Sequence, residues 1–270
     1  MRIETLISPT SPTLAIAVPF SRTDYLETFL GCFRDLLWNP EQTHVIFLID
    51  TDDALLETQL KTFLAEIFPR PNGITLIHME RGGPPSNNEL RRRRIIQVHE
   101  ALAKAVGDVS YVFGLEDDTV FPADCLTKFL VSMRQNPQLG FIEGVQVGRH
   151  DLRMIGGWRM DSLTDPKYIE TVPYNALPVI EAIDAGGLYC FLTRGKLFAT
   201  IERQYTNDPY LGPDVHYGIG VRQSGYQCAI DFSVPCGHLA GSETLWPDEH
   251  TRQLFIEKRG GRWQMRFGAK

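Results

Sequence analysis

Residues 110–122 read Ser-Tyr-Val-Phe-Gly-Leu-Glu-Asp-Asp-Thr-Val-Phe-Pro. Ser110 to Leu115 is an apolar run of strand-forming residues, the pattern of a buried strand. It passes directly into Glu116-Asp117-Asp118, and Pro122 and Asp124 then open a helix over Cys125–Arg134. Three adjacent carboxylates repel one another and favour a cation, and hard oxygen donors suit Mg2+ or Mn2+. Sites of this kind commonly take one or two protein carboxylates and leave the other positions to phosphate oxygens and water.

Working outward, the same strand-then-acid pattern recurs upstream. Leu14–Val18 is an apolar run stopped by Pro19, followed by a helix from Asp24 to about Leu37 with Leu26, Phe29, Leu30, Phe33 and Leu37 on one face. His44–Ile49 is a second strand, ending in Asp50-Thr51-Asp52-Asp53, and Ala54–Phe68 is a helix closed by Pro69 and Pro71. Ile74–His78 is a third strand, and a loop over 81–88 leads to a helix over about Glu89–Val106. Strands alternating with helices across the first 135 residues predict an α/β fold with a mostly parallel central sheet flanked by helices. Such sheets bind ligands at the carboxyl ends of their strands, where both acidic clusters fall.

The second half is less regular. Phe141–Val147 reads as a strand and Gly156–Tyr174 as Trp-, Pro- and Asp-containing loop. Ile180–Leu192 surrounds Gly186-Gly187, a helix is expected over Gly195–Arg203 and another over Gly218–Ser224, and Cys228–Val234 is the last core strand. The spacing suggests one domain over 1–270, with a regular half (1–135), an irregular half (136–240) and a tail or lid (241–270).

Composition excludes several classes. With 43% hydrophobic and 22% charged residues over 270 positions, disorder, collagen and repeat solenoids are ruled out. A net charge of −6 argues against binding nucleic acid through the global field. Five widely spaced cysteines without a C-x-x-C pair read as reduced thiols in a cytoplasmic protein. No apolar run reaches membrane-spanning length, and Met1–Phe20 lacks the basic start and long apolar core of a secretory signal.

The strand, acidic triplet and Val-Phe-Pro together resemble the DxD motif of GT-A-fold glycosyltransferases, particularly glycosyltransferase family 2 and its relatives. Other segments fall in the family's order. Leu14–Arg22 is similar to the first strand and its nucleotide loop, which implies donor contacts from Pro19, Ser21 and Arg22. Val45–Asp53 resembles the second strand and its base-contacting aspartate, either Asp50 or Asp52. Arg91–Ala105 matches the helix near the donor diphosphate. Ala185-Gly186-Gly187-Leu188-Tyr189 is similar to the small-residue acceptor segment, Gly212-Pro213-Asp214-Val215 stands where the family places its carboxylate base, and Cys236-Gly237-His238 where many members place a metal-binding histidine. The resemblance covers roughly residues 13–240. It departs from the family in lacking Gly-Ser after the second strand and in a triplet that begins with Glu. It implies a GT-A-like, Rossmann-related fold, a UDP- or GDP-sugar donor and a Mn2+ or Mg2+ cofactor. Asp118 and His238 would then hold the metal, with Glu116 and Asp117 on the donor.

Chemistry gives these parts roles. A divalent cation neutralises the departing diphosphate as a Lewis acid, and an imidazole ligand favours Mn2+ over Mg2+. Asp214 is the candidate general base for the acceptor hydroxyl, which implies inversion, with Asp184 and Asp208 as competitors. Four consecutive helical arginines, Arg91 to Arg94, point about 100° apart, so one or two reach a diphosphate; Arg92 and Arg93 are the candidates. Trp158, Tyr168, Tyr174, Tyr189 and Trp246 are candidate sugar-stacking surfaces. The acceptor is open among a glycan, a small molecule and a modified nucleic acid such as DNA carrying hydroxymethylated bases. A nucleotidyltransferase is disfavoured because Pro19-Phe-Ser-Arg lacks the Gly-rich loop of that class; a non-catalytic nucleotide-sugar-binding protein is the remaining alternative.

Overall fold

In the computed structural model, described for residues 1–67, 69–80, 87–148, 154–206 and 211–268, strand and helix alternate through the first half. The order is β1 (Arg2–Ile7), β2 (Leu14–Phe20), α1 (Leu26–Asp35), β3 (Thr43–Ile49), α2 (Ala54–Glu66), β4 (Gly73–His78), α3 (Asn88–Ala105), β5 (Tyr111–Leu115), β6 (Thr119–Val120) and α4 (Cys125–Gln135). The second half carries β7 (Leu139–Val145), β8 (Trp158–Met160), β9 (Tyr168–Thr171), β10 (Ile180–Ile183), β11 (Cys190–Arg194), α5 (Gly195–Thr200), α6 (Pro213–Gln223) and β12 (Gln227–Pro235). It closes with β13 (Gly237–Ala240), β14 (Glu243–Leu245), β15 (Leu254–Arg259) and β16 (Arg262–Phe267).

The main sheet has nine strands in the order β1-β4-β3-β2-β5-β11-β7-β12-β10. β4, β3, β2, β5, β7 and β12 run the same way, whereas β1, β11 and β10 are antiparallel to their neighbours. Both faces are covered, which is why β2 and β3 read as continuous apolar runs instead of alternating. Ile16, Val18, Val45 and Phe47 point into one core with Phe29 and Phe33 of α1, Leu60 and Phe63 of α2 and Phe129 of α4. Ala15, Ala17, Ile46 and Leu48 point into the other with Val98 and Leu102 of α3, Phe198 of α5 and Tyr217 of α6. Edge-to-face contacts tie the first core together, with Phe20–Phe47 centroids at 4.9 Å and Phe33–Phe47 at 5.5 Å. Such pairs contribute about 0.5–1.5 kcal/mol each beyond buried area.

Two helix starts rest on side-chain capping. Asp53 accepts from Leu55 N–H at 2.9 Å and so begins α2, and Asn87 accepts from Leu90 N–H at 2.9 Å and begins α3. α1 begins at Tyr25 with no side-chain cap, so Asp24 does not play that part.

The structure departs from the sequence expectations in four regions. β1 is an additional edge strand, its residues half-exposed or exposed and therefore without an apolar run to announce it. The segment 156–174 contains β8 and β9, which are short. α6 starts at Pro213 rather than Gly218, because proline at the first helical position has its φ preset and no N–H to satisfy. Residues 254–267 form a hairpin through Gly260-Gly261, whose φ values of +57° and +78° suit a turn that glycine adopts without strain. This hairpin joins β9 and β8 in a four-stranded sheet. Its Leu254 and Ile256 are buried against Trp158, Val215 and Ile219. Among the described residues, no helix is long and apolar enough to cross a membrane.

Candidate active site

The parallel strands β2, β3 and β5 end level with one another, Phe20 beside Ile49 and Ala17 beside Gly114. The residues that follow each strand therefore meet at one edge. They border a cavity of about 490 Å³, with Pro19 near the end of β2, Ser21 and Arg22 after it, Asp50 after β3, and Glu116, Asp117 and Asp118 after β5. Asp50 is 7% exposed and pairs with Arg94 of α3, whereas Asp52 is exposed at the surface. Of the two aspartates left open by the sequence, Asp50 is the one in the cavity.

The acidic triplet divides its work. Asp117 Oδ2 accepts from Ser21 N–H at 2.7 Å and from Ser21 Oγ at 3.2 Å, which ties the β2 loop to the triplet. Arg22 lies 3.6 Å from Asp117 Oδ1 and 3.5 Å from Asp118 Oδ2, screening the carboxylates from each other. Glu116 borders this cavity and a second one beyond it.

Asp118 is 1% exposed and His238 9% exposed. β13 brings them together by pairing with β6, His238 opposite Thr119, and Leu239 N–H donates to Asp118 O at 2.8 Å. His238 Nδ1 lies 2.8 Å from Val147 O, which leaves Nε2 facing Asp118 Oδ2 at 3.7 Å. A histidine whose second nitrogen is held by a backbone carbonyl is the usual arrangement of a metal ligand. One imidazole and one carboxylate at this separation fit a divalent cation that takes its remaining ligands from phosphate and water. Gln146, buried beneath them, donates from Nε2 to Thr119 Oγ1 at 3.0 Å and to Gly237 O at 3.2 Å, locking the β6–β13 pair. The cluster Glu4, Glu57 and His78 also presents metal-ligand types. It lies at the β1 edge of the sheet, and Lys61 Nζ already sits 2.9 Å from Glu4 and 3.0 Å from Glu57.

The second cavity, about 250 Å³, shares Ile95, His99 and Glu116 with the first and reaches Asp214, Trp158, Gly187 and His238. Asp214 stands in the first turn of α6. Burial raises its pKa above the ordinary 3.8, while the Val215 and Asp214 backbone N–H groups and then the Arg92 charge hold it down. Gly186 is required by a close approach: a Cβ there would lie 2.5 Å from the Glu143 carboxyl. Glu143 is fully buried in β7, and burial holds its pKa well above the usual carboxylate range. Asp184 is engaged elsewhere, accepting from Met160 N–H at 2.9 Å and facing Arg222 at 3.5 Å. Asp208 lies outside the described residues.

The helical arginines separate by face. Arg91 and Arg94 border the donor-side cavity, Arg92 is within electrostatic reach of Asp214, and Arg93 pairs with Glu89 at 3.0 Å and lies over the Tyr205 ring. The sequence contains the signal for this sorting, since Arg91, Arg94, Ile95 and Val98 share one helix face at i, i+3, i+4 and i+7. Among the candidate stacking aromatics, Trp158 and Tyr189 border the second cavity. Tyr189 OH is committed to the core, donating to Gly144 O at 2.8 Å. Tyr168 donates to Glu170 at 2.8 Å on the small sheet, Tyr174 packs beside the second core, and Trp246 is exposed near Gly237.

A mostly parallel sheet with acidic residues after β5, a late histidine on the same edge and helices on both faces defines the GT-A fold of glycosyltransferases. No protein-family model and no curated protein matches the sequence, but solved structures do. A mannosyltransferase from Pyrobaculum calidifontis in complex with GDP-Man and Mn2+ superposes with a TM-score of 0.51 at 13% identity, over 84% of this chain and 60% of that one. TarS residues 1–349 from S. aureus give 0.53 at 9% identity, over 86% and 59%. GalNAc-T7 with UDP, GalNAc and Mn2+ gives 0.58 at 10% identity, over 87% and 46%. The likeness is one of fold, and this chain spans between about half and three fifths of those chains.

Proposed function

We propose that this protein is a divalent-metal-dependent glycosyltransferase that moves a sugar from a nucleoside-diphosphate donor to an acceptor hydroxyl, with inversion. The observation that carries the reading is that Asp118 Oδ2, bordering the cavity that holds Asp50, faces His238 Nε2, bordering the second cavity, at 3.7 Å. The GDP-Man and UDP complexes of the structural neighbours support a nucleotide donor.

Asp50 accepts from the base, with Arg94 beside it, and the loop Pro19–Arg22 together with Arg91 borders the donor. Asp118 and His238 would hold Mn2+, which the imidazole favours over Mg2+, and the ion would supply Lewis-acid neutralisation of the diphosphate. Asp214 takes the proton of the acceptor hydroxyl as that oxygen bonds to the anomeric carbon and the carbon–diphosphate oxygen bond breaks. Gly187 borders the cavity that would take the sugar, whereas Gly186 makes room for the Glu143 carboxyl. The acceptor class is left open by the geometry. Five free cysteines are compatible with work in the cytoplasm.

The test is thermal unfolding with Mn2+ alone and then with UDP, GDP, CDP or ADP. A nucleotide at 100 times its dissociation constant adds about 2.7 kcal/mol. A shift with one nucleotide that requires Mn2+ supports the reading, and no shift with any of the four overturns it.

A further inference from the structure

Asp118 Oδ2, the oxygen that faces His238 Nε2 at 3.7 Å, also lies 3.5 Å from Arg22 Nη2. Arg22 Nε lies 3.6 Å from Asp117 Oδ1, so one guanidinium spans both aspartates of the triplet. Its place is on the wall of the first cavity. Nε donates to Ser21 Oγ at 3.3 Å, and the guanidinium carbon stands 5.7 Å from the centre of the Tyr25 ring. Tyr25 OH accepts from Gly241 N–H at 2.7 Å, which steadies that ring.

The two sides of this ion pair are held differently. Asp117 is 5% exposed and tied to Ser21 N–H at 2.7 Å, and Asp118 is 1% exposed beside the β6–β13 pair. The Arg22 side chain is 31% exposed, and separations of 3.5 and 3.6 Å lie beyond close hydrogen bonds. The guanidinium can therefore turn along the cavity wall, whereas the aspartates cannot follow it. A buried carboxylate favours positive charge beside it and is costly to strip of that charge. Exchange of the guanidinium for another cation avoids that cost.

A divalent cation on Asp118 Oδ2 and the Arg22 guanidinium compete for one oxygen. They repel each other there, with little solvent to screen a group so deeply buried. A nucleoside diphosphate in the first cavity changes the balance, because its oxygens are strong acceptors for a guanidinium on the same wall.

We infer that Arg22 couples metal binding to donor binding: paired with Asp118 it holds the cation back, and a diphosphate in the first cavity draws it off. The inference rests on the glycosyltransferase reading and names a regulation of that same site. The coupling is reciprocal, so diphosphate raises Mn2+ affinity by the factor by which Mn2+ raises diphosphate affinity. Part of that factor belongs to Arg22.

Electron paramagnetic resonance of free Mn2+ tests it without reference to turnover, on titration of Mn2+ alone and with UDP, GDP, CDP or ADP present. Arg22→Met keeps much of the side-chain length and removes the charge. It should bind Mn2+ alone about tenfold more tightly than the parent. With nucleotide present it should bind Mn2+ no more tightly than the parent, so the coupling factor falls about tenfold. The gain should vanish in an Asp118→Ala background, which separates this site from Mn2+ held at Glu4, Glu57 and His78. If Arg22→Met fails to fold, Arg22→Gln, also neutral, makes the same comparison. Mn2+ affinity at or below that of the parent, an unchanged coupling factor, or a gain that survives Asp118→Ala overturns the inference while the transferase reading stands. A parent that binds none of the four nucleotides with Mn2+ overturns both.

Discussion

The two cavities of this protein are built by different means. The first cavity is made from residues at the carboxyl ends of β2, β3 and β5, strands that are neighbours in the sheet, and from one face of α3. The second cavity is assembled from Gly148, Met154, Trp158, Gly187, Asp214 and His238, which come from separate short elements and connections of the irregular half. The first is a by-product of the parallel sheet and follows from strand order. The second depends on pairings between distant segments: β6 with β13, Trp158 with Ala185, and the β15–β16 hairpin behind α6. Binding should therefore fail when the first is altered, and turnover or selectivity when the second is.

The largest expected effect is that of Asp118→Ala, at the seam of the two. It removes the carboxylate facing His238 and should lower turnover about 10³-fold while abolishing Mn2+-dependent nucleotide binding. Calorimetry with and without Mn2+ checks this. A variant that keeps Mn2+-dependent binding would move the cation site away from β5.

Asp214→Asn comes next and should separate the regions cleanly. Turnover should drop about 10²-fold or more, with nucleotide affinity within twofold of the parent. The parent rate should also fall as pH is lowered through a midpoint above 3.8, because burial raises the Asp214 pKa and only the carboxylate accepts a proton. A pH profile that is flat through that region, or an Asn variant with full turnover, would remove Asp214 as the base.

The smallest effect is on stability and belongs to Glu143. Its pKa in the folded protein is raised well above 4.5, so the folded state holds a proton that the unfolded chain releases. Its contribution is present below about 4.5 and is lost as pH rises toward the folded value, at up to about 1.4 kcal/mol per pH unit. Glu143→Gln, which is neutral throughout, should flatten that slope. Melting temperatures of both proteins between pH 5 and 8 decide it, and parallel curves would show that Glu143 is ionised in the fold.

Much of the first region was legible in the sequence, for a physical reason. A strand covered on both faces must be apolar throughout, and the polar residue that ends it marks the ligand edge; Ile49-Asp50 and Leu115-Glu116 announce both. The second region hides its elements. β8 spans only Trp158–Met160, too short for a period to show. The basic residues from Lys258 onward concealed a hairpin whose Gly260-Gly261 turn and buried Leu254 and Ile256 were its only signals. His99 reads as an ordinary helix-interior residue, since nothing local says that a cavity opens beside it. The arginines needed only a helical projection, because Arg91 and Arg94 continue the face of Ile95 and Val98.

β11 has a consequence for the birth of the chain. It lies antiparallel between β5 and β7, with Cys190 opposite Leu115 and Arg194 opposite Tyr111. On the ribosome, residues 1–135 are all made before the partner strand exists, and one edge of β5 waits with its backbone groups unpaired. Closure must await residues 190–194, a long-range step that slows folding and lengthens the time in which two nascent chains can meet along that edge.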